Sequence, residues 1–373
     1  MTLAIATRHP PASAGGFWGL CGLAAALALA TIAPAVAADP WKSIAVASAP
    51  NLLADEIQLL VPARDGSLLV GTLAGLARLR GEAVEKVLDG VGDPKSPQKP
   101  KVWWVHEQAD GTLWIGHERG VVRLKGADRK EFLPTLQVAP IIEVKPGRLW
   151  AIGKQAGSPD AGLYELHGEE WKRVPGSEKY KIEDMLLAAN GRVWAIVEGN
   201  GVLEVDPAAA FDTAVHHLQG ITVTTVHELA PGQIWVGTWS RGVAQWDGKE
   251  WKRHLDSLKE SSVLQIVRDK TGQTWVATSS SGVFHAPADL AKWSQDLADE
   301  GSINLLFADT LGNVWISGQQ TGGLRRHDGS TWAASLDSPL PIQCLVETRE
   351  GRLVAGGVLD GLHILATPPK GTK

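Results

Sequence analysis

The chain has 373 residues, 44% of them hydrophobic and 21% charged, so it can bury a large core. Its formal net charge of −5 disfavours nucleic acid or an anionic membrane surface as a partner. Its two cysteines, Cys21 and Cys344, are too few for a disulfide framework.

The N-terminus reads as a targeting segment. Arg8 and His9 precede an apolar stretch, Phe17 to Ala33, and Ala35-Val36-Ala37 follows as a small-x-small cleavage site. This is the layout of a secretory signal peptide over residues 1–37, with a retained membrane anchor as the rival reading. Cleavage leaves 35 basic and 41 acidic side chains, net −6, and Cys344 alone. The mature chain is expected to be periplasmic or secreted, without an internal disulfide, not inserted in a membrane, and a monomer. Its stability then rests on packing.

From residue 38 onward the sequence repeats. Turn glycines fall at 66, 111, 147, 191, 232, 272, 312 and 351, spaced 45, 36, 44, 41, 40, 40 and 39 residues apart. A short apolar run follows each: "SLLVG", "TLWIG", "RLWAI", "RVWAI", "QIWVG", "QTWVA", "NVWIS" and "RLVAG". Trp fills one slot of that run six times, as Trp114, Trp150, Trp194, Trp235, Trp275 and Trp315, and Leu69 and Val354 fill it at the two ends. An apolar run precedes each turn, such as "IQLLVPA", "VWWVHEQ" or "INLLFAD". After a glycine-closed loop comes a third run, such as "GLARLR" or "GVAQWD". A variable fourth follows, often "EEWKRV" or "KEWKRHL". Short runs bounded by Gly, Asp and Asn predict strands, and four-strand units of this length predict a β-propeller. Each sheet can bury both faces only against its neighbours, so the repeated Trp is expected to act as a wedge between blades.

The ends fix the blade count. The eighth repeat reaches "GLHIL" and then "ATPPKGTK", which cannot supply an outermost strand. Residues 39–47, "DPWKSIAVA", match "EEWKRV" and "KEWKRHL", with Trp41 in the place of Trp171 and Trp251. An all-β, eight-bladed propeller over residues 38–366 is predicted. Its ring is closed by this N-terminal strand pairing with 361–365, and a tail, 367–373, follows.

The phrase "DGTLWIGHERGVVRL" at 110–124 resembles the two-component regulator propeller repeat, found in sensor regions of hybrid histidine kinases. "GVAQWDGKEWKRH" at 242–254 and "TGGLRRHDGSTW" at 321–332 resemble its later part. The resemblance spans nearly all of the mature chain. It implies a periplasmic propeller that senses ligands such as glycan fragments. Only a few residues follow the last blade, so the family's signalling output is not carried over.

The loops between second and third strands should open on one face near the channel, where the fold leaves them free to vary. They bring His117, Glu118 and Arg119 from blade two, Gln155 from blade three, and Glu198 and Asn200 from blade four. Trp239 and Arg241 come from blade five, Gln319 and Gln320 from blade seven, and Asp360 from blade eight. Trp239 stands outside the wedge slot, so its ring could stack on a sugar while Arg, Gln and carboxylates bond the hydroxyls. The bland alternative is solvated turn residues, but loops on a rigid scaffold often carry function. An insertion at 89–101 and a long loop at 154–162 fall on the same face.

No His-Glu-x-x-His, Gly-x-Ser-x-Gly or phosphate-loop motif occurs. His216 and His217 should point to opposite faces of a strand and so not share a metal. No cofactor is expected. Channel Ca²⁺, as in gluconolactonase-like propellers, stays open because its ligands would come from different blades. The leading reading is an exported, non-enzymatic binder of a small polar ligand or glycan. A cell-envelope protein-interaction scaffold is the second. A propeller lyase or metal-dependent lactonase is the third, to be favoured by His and Glu gathered at a channel mouth.

Overall fold

Eight four-stranded antiparallel sheets follow one another around a ring. The computed structural model describes residues 41–91, 98–155, 161–256, 258, 260–320 and 322–365, so the expected signal segment and C-terminal tail lie outside the described residues. So do 92–97 of the expected insertion and 156–160 of the long loop. Seven blades are simple meanders, and the fourth, Ile182–Leu187, Val193–Val197, Val202–Val205 and Val215–His217, is typical.

The eighth blade takes its outermost strand from the other end of the chain. Trp41–Ile44 pairs antiparallel with Leu362–Leu365, Trp41 opposite Leu365 and Ile44 opposite Leu362. The expected strand 39–47 is thus shorter at its C-terminal side, because residues 46–48 turn away to enter blade one. Across the seam, Leu60 and Val70 of blade one share a core cluster with Cys344, Val354 and Leu362 of blade eight.

The tryptophan slot is an inter-blade wedge. All six rings are buried, with Trp114 the most exposed at 3%. Four meet the outer-strand Trp of the following blade edge to face. Trp114 meets Trp171 at 5.7 Å and 84°, and Trp194 meets Trp251 at 5.9 Å and 86°. Trp275 meets Trp332 at 5.9 Å and 89°, and Trp315 meets Trp41 at 6.1 Å and 88°. This geometry sets the positive edge of one ring against the negative face of the other. Trp41 therefore does at the seam what its counterparts do elsewhere.

A buried indole N–H needs an acceptor. Trp275 and Trp315 donate to Asp269 and Asp309, both at 2.9 Å, six residues upstream in the turn. Gln108 serves Trp114 from the same offset at 2.7 Å, and Glu165 serves Trp150 at 3.0 Å. Trp194 and Trp235 have no partner for this N–H. Ala188 and Leu229 stand at the offset from which Gln108, Asp269 and Asp309 serve their rings.

The glycines of the phrase at 110–124 answer to close approach. A Cβ on Gly116 would lie 2.2 Å from the Val138 carbonyl of the next blade. Gly120 has φ +126°, and a Cβ there would strike the Phe132 carbonyl at 2.3 Å.

Candidate functional site: the central channel and its two mouths

The inner strands surround a channel of about 1040 Å³. They run from the face where the second-to-third-strand loops open, here the upper face, to the face carrying the glycine turns, the lower face. In seven blades the register slips at the same place, one residue into the inner strand. Blade five slips between Val223 and Thr225, and blade six between Val263 and Gln265. Such a bulge sets two consecutive residues against one on the partner strand. Thr224 with Thr225, and Leu264 with Gln265, accordingly both line the channel.

At the upper mouth, blades five to seven contribute Trp239, Glu260, Ser262, Ser279, Ser302, Asn304 and Gln319. The ring of Trp239 is 52% exposed. Its backbone is held from both sides: its N–H donates to the Thr222 carbonyl at 3.0 Å, and the Ser262 hydroxyl donates to its carbonyl at 3.4 Å. The Ser279 hydroxyl accepts the Ser262 N–H at 2.9 Å, and the Ser302 hydroxyl donates to Asn304 at 3.0 Å. Hydroxyls, one amide pair, one carboxylate and one exposed indole thus share a rim with a fixed main chain.

At the lower mouth, Arg64, His106, Glu107, Glu143 and Arg349 line the channel. His106 Nε2 lies 3.3 Å from Glu143 Oε2. Burial holds the His106 imidazole below its ordinary pKa, against the pull of Glu143. Burial of Glu143 works the other way, but hydrogen bonds from Gly147, Gln108 and His106 outweigh it and keep its carboxyl low. The pair is a neutral imidazole beside an ionised carboxylate, an arrangement able to accept a proton. Between the mouths, Thr225 Oγ1 lies 2.7 Å from His227 Nε2.

Of the loop residues singled out from sequence, Trp239 and Gln319 line the channel and the other nine do not. Arg119, Gln155, Asn200, Arg241 and Gln320 are exposed on the upper face, and Glu118, Glu198 and Asp360 are half-buried there. Asn200 is engaged locally, its side-chain oxygen accepting the Gly220 N–H at 2.7 Å. Asp360 accepts from Ser338 at 2.8 Å and lies 3.1 Å from His363 Nε2, while His363 Nδ1 lies 2.9 Å from the Ser43 hydroxyl.

His117 belongs to the strand end and not to the open loop. It is 2% exposed, and its Nδ1 accepts the Arg119 N–H at 3.2 Å. Thr72, Thr238 and Thr278 occupy the same strand-end slot and accept the N–H of Ala74, Arg241 and Ser281 through their hydroxyls. His117 does the work of a threonine, and burial pushes its pKa down to about 4.

His216 and His217 do face apart. His216 Nε2 reaches the Asn200 carbonyl at 2.5 Å, whereas His217 packs between Trp194 and Trp246. Among the described residues no group of three or more His, Cys, Asp or Glu side chains is arranged to hold a metal ion. No described helix is long and apolar enough to cross a membrane.

No protein-family model and no curated protein matches the chain. Solved propellers do match in structure. YCF48 bound to a D1 peptide aligns with a TM-score of 0.55 at 15% identity, over 91% of this chain and 99% of that one. A streptogramin B lyase aligns at 0.55 and 10% identity, over 89% and 99%. Sqt1 of Saccharomyces cerevisiae aligns at 0.57 and 8% identity, over 82% and 93%. The extracellular domain of a putative one-component-system protein of B. thetaiotaomicron aligns at 0.34 and 15% identity, over 81% of this chain and 52% of that one. At these identities the likeness is one of fold.

Proposed function

We propose that the chain is an exported binding protein that holds a neutral polar ligand, a saccharide, at the upper mouth of its channel. The observation that carries this is the exposed Trp239. Every wedge Trp is buried, yet this ring stands half in solvent on a fixed main chain, beside hydroxyl and amide groups able to bond a polyol. An indole face suits the C–H face of a sugar, and the serines, Asn304 and Gln319 suit its hydroxyls.

A glycan array on the purified chain, followed by calorimetric titration of the best glycan, tests this. Trp239→Ala should remove detectable binding while the thermal melt stays within a degree or two of the parent. Normal binding by that variant would move the envelope-scaffold reading ahead. The enzyme reading has one specific observation in its favour, the His106–Glu143 pair at the other mouth. Turnover of a channel ligand that is lost in His106→Asn would support it.

A further inference from the structure

The lower rim has a charge arrangement that the upper site does not use. Two residues before each turn glycine lies a rim position. It is Arg64, Lys145, Lys270 and Arg349 in blades one, three, six and eight, and Ala or Thr in the others. Arg64 and Arg349 belong to the two blades that meet at the seam, and both line the channel.

Glutamates also stand on this rim, but they are already bonded: Glu143 to Gly147, Gln108 and His106, and others to main-chain N–H groups. Glu107 accepts the Arg64 N–H at 2.6 Å. Glu347 accepts the Thr310 N–H at 2.8 Å and its hydroxyl at 2.5 Å. Glu228 accepts the Ala189 and Gly232 N–H groups, at 2.7 and 2.8 Å. Apart from the Gly232 bond, which closes blade five's own turn, these bonds fasten the turn of one blade to the inner strand of the next.

The two guanidinium groups are left with carbonyls. Arg64 Nε donates to the Glu107 carbonyl at 3.4 Å, and Arg349 Nη1 donates to the Arg64 carbonyl at 2.9 Å. Among the described residues neither has a carboxylate within ion-pair distance. On the third strands, by contrast, Arg78, Arg80 and Arg123 each hold at least one. Two guanidinium groups that line one channel mouth, each with N–H donors left over and no carboxylate partner, suit an oxyanion.

We propose that the lower mouth is an oxyanion site in which Arg64 and Arg349 together hold a carboxylate or phosphate group of a channel ligand. This stands independently of the saccharide reading at the other end.

The test is calorimetric titration of the full chain in low-salt buffer with citrate and, separately, with inorganic phosphate. At least one anion should bind with one-to-one stoichiometry, and the tighter of the two identifies the chemistry preferred. Arg64→Gln and Arg349→Gln should each weaken it at least tenfold, and the double variant should abolish it. Lys145→Gln, a charge removed from the same rim position but off the channel, should change nothing. Arg64→Gln keeps the backbone N–H that Glu107 needs, and thermal melts check that each variant folds; should one fail, the other single variant carries the test. Heat from neither anion, or equal affinity in the double variant, overturns the proposal.

Discussion

Trp235 and Trp239 are four residues apart and have opposite fates. The first is wholly buried between blades, stacked on His254 at 5.4 Å, while the second stands 52% exposed at the channel lip. Between them the strand ends at Thr238, whose hydroxyl ties the loop. One side of that residue is governed by packing that every blade must repeat. The other side is not, and so can be shaped to a ligand. The boundary between scaffold and candidate site is a single capped strand end.

The contrast can be broken most sharply at the wedge. Trp235→Ala should cost about 3–5 kcal/mol in denaturant unfolding, the range for deleting a buried large aromatic. The same change at Trp239 should cost less than about 0.5 kcal/mol, as at an exposed site. Similar losses at the two positions would erase the boundary.

The boundary residue itself gives a pH test. His117 has a folded pKa of about 4, below the ordinary 6.5, so the unfolded chain binds the proton first. Its contribution is fully present above 6.5 and is lost as pH falls toward 4. The depression is worth about 3 kcal/mol, at 1.36 kcal/mol per pH unit. His117→Asn keeps a turn acceptor and should flatten stability between pH 6.5 and 4 relative to the parent. Parallel curves would mean that the ring takes up its proton equally readily in the folded and unfolded states.

The smallest effect sharpens the wedge side. Ala188→Asp places a carboxylate at the offset from which Asp269 and Asp309 serve their tryptophans, and Trp194 lacks an acceptor. A gain of about 1 kcal/mol is expected, the net worth of one hydrogen bond. A loss would show that blade four has no room for the turn seen in blades six and seven.

The repeat made the wedge side legible because each blade needs the same turn glycine, the same buried ring and the same close approach. Trp41 was readable for that reason, although it lies 324 residues from its strand partner Leu365. The candidate site was readable only in its loops. Trp239 and Gln319 stood out as polar or aromatic exceptions in a loop position. The lining from the inner strands did not, because the repeat marks "VTTVHEL" only as the inner strand of its blade, packed between neighbouring sheets. The bulge after its first residue turns Thr224 and Thr225 together toward the channel. His117 was hidden by the reverse effect, since its type suggests chemistry while its slot calls for a cap. Arg64 and Arg349 sit in turns, where charged residues attract no notice.

The seam has a consequence in time. Ser43 and His363, hydrogen-bonded neighbours across it, are 320 residues apart in the chain. The earlier blades can assemble as local hairpins, each against its neighbour. The first strand, however, cannot take its place until the last has been made, and contacts of such separation form slowly. Until then Leu362–Leu365 presents an open sheet edge, the feature most prone to wrong partners. The first of the described strands is therefore the latest to be seated, and the ring exists as a ring only once Leu362–Leu365 has been made.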